Sequence, residues 1–289
     1  DKYLAQPGAK DEVVETIQTA TDETLYFFTN RGNCFMLDVT RIPETMKLKD
    51  RGSLLTGLIA GLADHEHAVA LVCVKSDEMA KKGDFLFITK NGQVKRTAAA
   101  EYGIRRARFA AINLKGNDEL VGMVQVDPED KDDIILITQL GMALRFKLDT
   151  VSCTGRATAG VRGIDVGKDD EVRWFEIPKA GDMLFVLSDR GFGKRMLSDD
   201  VERQGRAGKG QKLLPMNKTG ETGTQVAVCL NVTGAKSVRV EQKHGHTVLL
   251  NMDEIAVERR ASKGQLLVNV LLDDVVQYGA LTAETKDEK

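Results

Sequence analysis

Five apolar, strand-like runs in this chain each stop at a turn that carries a glycine, and the turns recur about every fifty residues. They read Asn30-Arg31-Gly32, Lys90-Asn91-Gly92, Gln139-Leu140-Gly141, Asp189-Arg190-Gly191 and Lys243-His244-Gly245. In four of the five units a second cluster of small and basic residues follows 19 or 20 residues later. These clusters are Arg51-Gly52, Gly160-Val161-Arg162-Gly163, Gly208-Lys209-Gly210 and Lys263-Gly264. Self-similarity at a fixed period confines the chain to repeat architectures, because a unit of this size buries its apolar face only against a copy of itself.

Each unit opens on a short β-branched or aromatic run: Leu25 to Thr29, Phe85 to Thr89, Ile134 to Thr138, Met183 to Leu187 and Val238 to Glu241. An alternating run follows the turn, as in Val94-Lys95-Arg96-Thr97 and Gly193-Lys194-Arg195-Met196, so each pair predicts a β-hairpin. A polar loop then carries the basic cluster. A third strand is expected over Leu54–Ile59, Ala110–Leu114, Val161–Val166, Gln211–Pro215 and Leu266–Val270, and a fourth after an acidic turn, as in Leu120 to Val126. Four strands per unit is the pattern of a propeller blade, so the expected class is all-β. The units run about 21–75, 83–127, 132–178, 181–232 and 237–279. Residues 1–20 are expected to supply a ring-closing strand or the remnant of a first blade, and 281–289 a polar tail. No helix of twelve residues is predicted; Glu78 to Lys82 fits a single turn.

Composition narrows the function. No run approaches the roughly 18 apolar residues of a membrane span, and the first residues lack a signal-peptide core. Cys34, Cys73, Cys153 and Cys229 form no C-x-x-C pair, and three lie in apolar surroundings, as expected of buried free thiols in a reducing cytoplasm. The pairs His65/His67 and His244/His246 fall in turns without partners at metal-ligand spacing. Nucleophile-elbow, zincin and P-loop motifs are missing, and Gly191-Phe192-Gly193 sits in a hairpin rather than ahead of a helix. No catalytic set, metal site or cofactor is expected in this chain.

The net charge is only −2, but the charge is segregated. Between Val94 and Lys115, six basic residues stand against Glu101 alone; between Arg190 and Lys212, seven stand against Asp199, Asp200 and Glu202. One such loop is ordinarily a solvated turn. Recurrence at one phase of a repeat favours an anion-binding surface, with guanidinium forks, point-charge ammonium groups and glycines that let N–H groups approach phosphate oxygens. The candidate residues in the loops are Arg51, then Arg105, Arg106 and Arg108, then Arg156 and Arg162. The fourth unit adds Arg203, Gln204, Arg206, Gly208, Lys209 and Gly210, and the fifth Arg259, Arg260 and Lys263. The strand residues Lys95, Arg96, Lys194 and Arg195 join the set. With 5% aromatic residues, a backbone binder of duplex is favoured over a stacking platform for single strands.

Several motifs are more specific. Gly92-Gln93-Val94-Lys95-Arg96-Thr97 with Ala110-Ala111-Ile112-Asn113-Leu114 and Asp118-Glu119-Leu120, Thr158 to Ile164, and Arg190-Gly191-Phe192-Gly193-Lys194-Arg195 resemble the C-terminal domain of the A-type chain of bacterial type IIA topoisomerases, that is, DNA gyrase and topoisomerase IV. The resemblance runs from Thr21 to Ala280. It implies a β-pinwheel of five to six blades that exchange strands, with a basic rim that binds duplex DNA and bends it. It places the cleavage tyrosine in another part of the same polypeptide and ATP hydrolysis in a separate subunit, so ATP and Mg belong elsewhere in the holoenzyme. The implied partners are duplex DNA, the N-terminal part of the same polypeptide and the ATPase subunit, with no membrane, in a bacterial cytoplasm. The isolated domain is expected to be a monomer. The family's Q-R-R-G-G-K-G heptapeptide, a first-blade feature of gyrase, has its nearest match here in the fourth unit, Gln204 to Gly210. Two alternatives come from other classes. A protein-interaction propeller of the WD-repeat kind lacks its Trp-Asp signature here, since the only tryptophan, Trp174, precedes Phe175. A propeller enzyme lacks any repeat-phased catalytic set.

Overall fold

The computed structural model describes residues 16–44, 52–129 and 131–282. Five antiparallel hairpins organise it: β1 (Thr24–Thr29) with β2 (Asn33–Asp38), β4 (Asp84–Thr89) with β5 (Gln93–Ala98), β8 (Asp133–Thr138) with β9 (Met142–Lys147), β12 (Met183–Ser188) with β13 (Phe192–Leu197), and β16 (Ser237–Gln242) with β17 (Thr247–Asn251). The five turn glycines, Gly32, Gly92, Gly141, Gly191 and Gly245, all lie at φ between 74° and 90°. A side chain is strained there, which is why glycine recurs at this beat.

On one side each hairpin carries the closing strand of its own unit: β3 (Ala68–Val74), β7 (Leu120–Val126), β11 (Val172–Glu176), β15 (Val226–Asn231) and β19 (Val276–Leu281). On the other side, four of the sheets take a short strand from the following unit: β6 (Arg108–Ala110) beside β2, β10 (Val161–Arg162) beside β5, β14 (Gln211–Lys212) beside β9, and β18 (Gln265–Leu266) beside β13. The sheet orders are therefore β3-β1-β2-β6, β10-β5-β4-β7, β11-β8-β9-β14, β15-β12-β13-β18 and, with three strands, β17-β16-β19. This strand exchange makes the fold a β-pinwheel. The sheets built on β1 and β4 fall in one compact body, and those built on β8, β12 and β16 in another.

The third strands are shorter than the sequence predicts, and their position has a cause. The N–H groups of Ala111 and Ile112 both converge on the Gly32 carbonyl, at 2.8 and 3.2 Å, which ends the ladder at Ala110. Leu267 and Val268 do the same on the Gly191 carbonyl, at 2.8 and 3.2 Å, and Leu213 donates to that of Gly141 at 2.7 Å. The basic beat of one unit thus docks on the turn beat of the unit before it. In the first unit, the strand expected over Leu54–Ile59 is instead a one-turn helix, α1 (Leu55–Leu58). Its partner cluster residue Arg51 lies outside the described residues, as do 283–289 of the tail and 1–15 of the N-terminal segment expected over 1–20; residues 16–20 form no strand.

In the first body the core is aromatic: Phe28 meets Phe85, Phe87 and Tyr102 edge-on, with ring centroids 5.6–5.7 Å apart. In the second body branched aliphatics such as Ile135, Ile137, Leu184 and Val186 fill the same space. Each such side chain contributes about 1.5–3 kcal/mol on burial. Cys34, Cys73 and Cys229 are buried and Cys153 is exposed, all as free thiols. Among the described residues no helix is long and apolar enough to cross a membrane, and no cluster of three or more His, Cys, Asp or Glu could hold a metal.

Candidate nucleic-acid interface

The basic loops are built alike. Each follows a short 3-10 turn: Ala99–Tyr102, Leu148–Thr150, Ser198–Asp200 and Met252–Glu254. In the last three, a single parallel bridge then lays the loop against the strand of the preceding hairpin: Cys153 on Arg96, Arg203 on Arg145, and Val257 on Arg195. The same three loops end on Gly160, Gly210 and Gly264, at φ +80°, +77° and +76°. A Cβ at Gly160 would come within 2.5 Å of the Val94 carbonyl oxygen, and one at Gly264 would meet the Gly193 backbone. Glycine is required by this close approach as well as by its dihedral, so these residues shape the loops whether or not an anion ever touches them.

One arginine per loop is also committed. Arg156 donates through Nη1 to the Ala110 carbonyl, Arg206 to that of Arg162, and Arg260 to that of Lys212 at 2.8 Å. Every acceptor is the last residue of the strand donated one unit earlier. The Arg156 guanidinium also lies over the Phe109 ring, 5.3 Å from its centroid, and its main-chain N–H donates to Glu101 Oε2 at 2.8 Å. These three side chains are half-buried, so part of each guanidinium holds the loop while the rest faces outward.

Around them stand further surface cations. Arg105, Arg106, Lys209, Arg259 and Lys263 are exposed and form no ion pair among the described residues. Arg108 is exposed on β6, donating to the Gly61 carbonyl at 3.2 Å and lying over the Phe35 ring. Arg162 is exposed and 3.6 Å from Asp165; Arg203 is exposed and donates to Asp133 at 2.9 Å. Gln204 exposes its side chain while its N–H donates to the Arg145 carbonyl at 2.8 Å, and the Gly208 carbonyl accepts from Asp165 at 2.8 Å.

The strand residues of the expected set are placed elsewhere. Lys95 is 1% exposed and Lys194 0%. Lys95 Nζ donates to the carbonyls of Arg156 at 2.6 Å and Ala111 at 3.0 Å and touches the Tyr102 hydroxyl at 3.4 Å. Lys194 Nζ donates to the carbonyls of Arg259, Arg260 and Ser262 at 2.9, 2.6 and 2.6 Å. Burial pushes both ammonium groups down to about 8. Arg96 is enclosed, paired with Asp84 at 2.6 Å and bonded to the Pro128 carbonyl at 2.6 Å. Arg195 is half-buried on the Ile255 carbonyl at 2.8 Å. Lys95, Arg96 and Lys194 are therefore internal and join a receiving strand to its surroundings, while Arg195 is bonded through Nε and stays partly exposed. A signal existed in the sequence, since the same hairpin position holds Phe35, Leu144 and Val248 in the other units, opposite Phe27, Leu136 and Val240. Arg145, which lay outside the expected set, does the work of Arg96 in the third unit through Asp133 at 2.7 Å and Asp199 at 3.1 Å.

An all-β domain of strand-exchanged blades whose repeated loops carry exposed arginine and lysine is a defined class of protein, and comparison with known proteins gives the family. The family described as DNA gyrase C-terminal domain, beta-propeller, matches residues 83–127, 132–179 and 182–223. The chain is 33% identical over 275 residues to the GyrA-type chain of DNA gyrase from Deinococcus deserti, covering 93% of this chain and 33% of that one. It is 31% identical over 260 residues to the corresponding gyrase chain of Chlamydia trachomatis, covering 89% and 30%. The chain thus spans about a third of the length of the curated relatives it matches. The solved C-terminal domain of DNA topoisomerase IV superposes with a TM-score of 0.81 at 25% identity, covering 90% of this chain and 79% of that one. The DNA gyrase A C-terminal domain superposes at 0.68 with 18% identity, covering 92% and 84%, a likeness of fold alone. Residues 83–223 match the DNA gyrase C-terminal domain family, the one that the Lys-Arg and Gly-Val-Arg-Gly motifs resemble, and the chain as a whole is similar to the gyrase and topoisomerase IV chains named above.

Proposed function

We propose that this domain binds duplex DNA through its basic loops, without strong sequence preference, and bends it, presenting a segment to the cleavage core of a type II topoisomerase. The reading rests on one observation above others: loops built alike recur at one phase of the fold and end in exposed cations such as Arg106, Lys209, Arg259 and Lys263. The family match and the absence of any inserted recognition helix among the described residues support contact with phosphates rather than with base edges. Smoothly bending twenty to thirty base pairs by 40–90° costs of order 1–6 kcal/mol. One loop with two or three phosphate contacts does not sustain that cost, whereas a series of loops does. Cleavage and ATP hydrolysis, with their Mg, fall in this proposal to other parts of the holoenzyme. The third unit's acidic turn, Lys168-Asp169-Asp170-Glu171, lies one strand away from its basic loop and repels DNA from an alternative path.

The test is a gel-shift titration with linear random-sequence duplex at several salt concentrations. Six phosphate contacts give log K against log salt a slope of about −5. Binding that is absent or indifferent to salt overturns the proposal and leaves the protein-interaction propeller in its place. Ring closure of short fragments then measures the bend: bound protein raises the closure rate if the duplex is curved.

A further inference from the structure

We propose that Lys95 and Lys194 are positioning residues for DNA binding: each buried ammonium binds inward-turned main chain of the next unit's basic loop, one carbonyl for Lys95 and three for Lys194, and holds that loop in the pose that presents its arginines, without itself reaching the DNA. This rests on the DNA-binding reading above.

The geometry is that of a cation solvated by main chain. The three Nζ hydrogens of Lys194 are all taken by Arg259, Arg260 and Ser262 carbonyls. Peptide carbonyls that turn inward leave the side chains of Arg259 and Lys263 on the outer surface, where both are exposed. Lys95 repeats the arrangement in the other body, reaching the Arg156 carbonyl and the Ala111 carbonyl where β6 ends. Among the described residues neither ammonium makes an ion pair with a carboxylate. Burying a cation on uncharged acceptors is expensive, and a well-packed hydrocarbon at such a place is usually as good for stability or better. Leu144 shows that this position folds with a hydrocarbon: it sits at the same register in the third hairpin, fully buried. The loop over Leu144 shares with the other two a main-chain bond to the preceding hairpin, Gln204 N–H to the Arg145 carbonyl like Thr154 to Arg96 and Glu258 to Arg195, and in place of a lysine it has Ala207 N–H on the Gly163 carbonyl at 2.7 Å. The lysines therefore serve the posture of two particular loops rather than the blade in general.

The charged groups around each site are few. Glu258 and Asp200 favour the charged form of Lys194, and Arg260 opposes it. Glu101 and Cys153 favour the charged form of Lys95, Arg156 opposes it, and Tyr102 lies against it. Burial brings both lysines to about 8, within a range where surface lysines stay charged. A neutral amine has two hydrogens and one lone pair to set against three oxygens, so one carbonyl loses its donor and the loop loosens.

The experiment uses the full chain with Lys95→Met and Lys194→Met, singly and together, and Leu144→Met as the control. Two readouts run from pH 7 to pH 9: affinity for random-sequence duplex, and amide-exchange protection of residues 256–264 and 203–210, corrected for the intrinsic rate. Wild type is expected to lose affinity and protection over 256–264 through about pH 8, while 203–210 holds. The double variant is expected to bind about tenfold more weakly at pH 7 and to have lost the pH dependence. A double variant whose affinity and pH profile match those of wild type overturns the proposal. If the variants do not fold, the wild-type titration decides, and equal protection of both loops across pH 8 overturns it. If wild type fails to bind DNA at pH 7, the DNA-binding reading falls, while the exchange data still decide whether the lysines hold the loops.

Discussion

Arg260 donates through Nη1 to the main-chain oxygen of Lys212, 2.8 Å away, and so ties the fifth unit's basic loop to the end of the strand that follows the fourth unit's loop. Arg206 makes the same bond to Arg162 within the same body. Consecutive loops are therefore linked in series by an arginine that also faces outward. Its planar fork can hold a carbonyl with one nitrogen and offer another, set apart and rigidly directed, to a phosphate, whereas an ammonium directs all its donors from a single nitrogen on a flexible stem.

Replacing Arg206 with lysine separates the two roles, because charge is kept and the fork is lost. DNA affinity is expected to fall about three- to tenfold with the salt slope nearly unchanged, since a hydrogen bond of this kind is worth about 1 kcal/mol. Lys209→Ala should instead reduce the slope by about one, the signature of a lost phosphate contact. Anisotropy titrations across a salt series distinguish these outcomes, and equal slopes in both variants would argue against the division of roles.

Gly264→Ala tests the docking of the loop on the preceding hairpin. The new Cβ would meet the Gly193 backbone at a φ of +76°, so relief requires main-chain movement and the pairing of β18 with β13 should weaken. A loss of about 2–4 kcal/mol is expected from strain and overlap together. Gly245→Ala, where nothing lies within 4 Å, should lose only the dihedral part, about 1–2 kcal/mol. Thermal melts of the two variants side by side give the comparison.

Ala207 points the other way. It is a non-glycine residue at φ +68°, in the loop closest to the gyrase heptapeptide, at the place of that motif's first glycine. Ala207→Gly removes roughly 1 kcal/mol of left-handed strain and adds about as much chain entropy to the unfolded state. Stability within about 0.5 kcal/mol of wild type is expected, against the usual cost of about 1 kcal/mol for the same exchange in regular structure. Chemical denaturation measures it.

Glu176, at the end of β11, gives a pH signature. Burial first, and then the nearby Asp182 carboxylate, push its carboxyl up to about 7, against partial relief from Asn231. The folded state thus holds this proton more tightly than the unfolded chain does. Stability from this group is greatest below the ordinary glutamate value and is lost as pH rises from there to about 7. Glu176→Gln should raise stability by about 2 kcal/mol at pH 8 and change it little at pH 4. Melting curves at the two pH values check the sign; a variant equally stabilised at both would show that packing, not ionisation, is responsible.

The repeat was legible because its causes are local. A turn at φ near +80° asks for glycine at Gly141 or Gly191 whatever surrounds it, and β-branched runs such as Ile134 to Thr138 favour the strand by their own propensity. The exposed cations Arg106, Lys209 and Lys263 were legible for the same reason, since polar loops between strands lie at the surface. The burial of Lys95 and Lys194 was not legible, because identity says nothing of burial. Most of their acceptors, the carbonyls of Arg156 and of Arg259, Arg260 and Ser262, lie some sixty or more residues along the chain.

By itself the sequence determined that this protein is a series of β-hairpin units with a basic loop at one phase, because dihedral preference, strand propensity and charge are properties of neighbouring residues. Only the tertiary structure decided that each loop belongs to the sheet before it. β14 adds to β9 rather than to β13, Gly210 presses on Ala143, and Arg206 reaches back to Arg162. Strand exchange is a long-range choice among edges that look alike in sequence. It is settled by which hairpin edge leaves room for a glycine and which carbonyls are left to be paired. That choice separates the cations that face outward from those that hold the blades together.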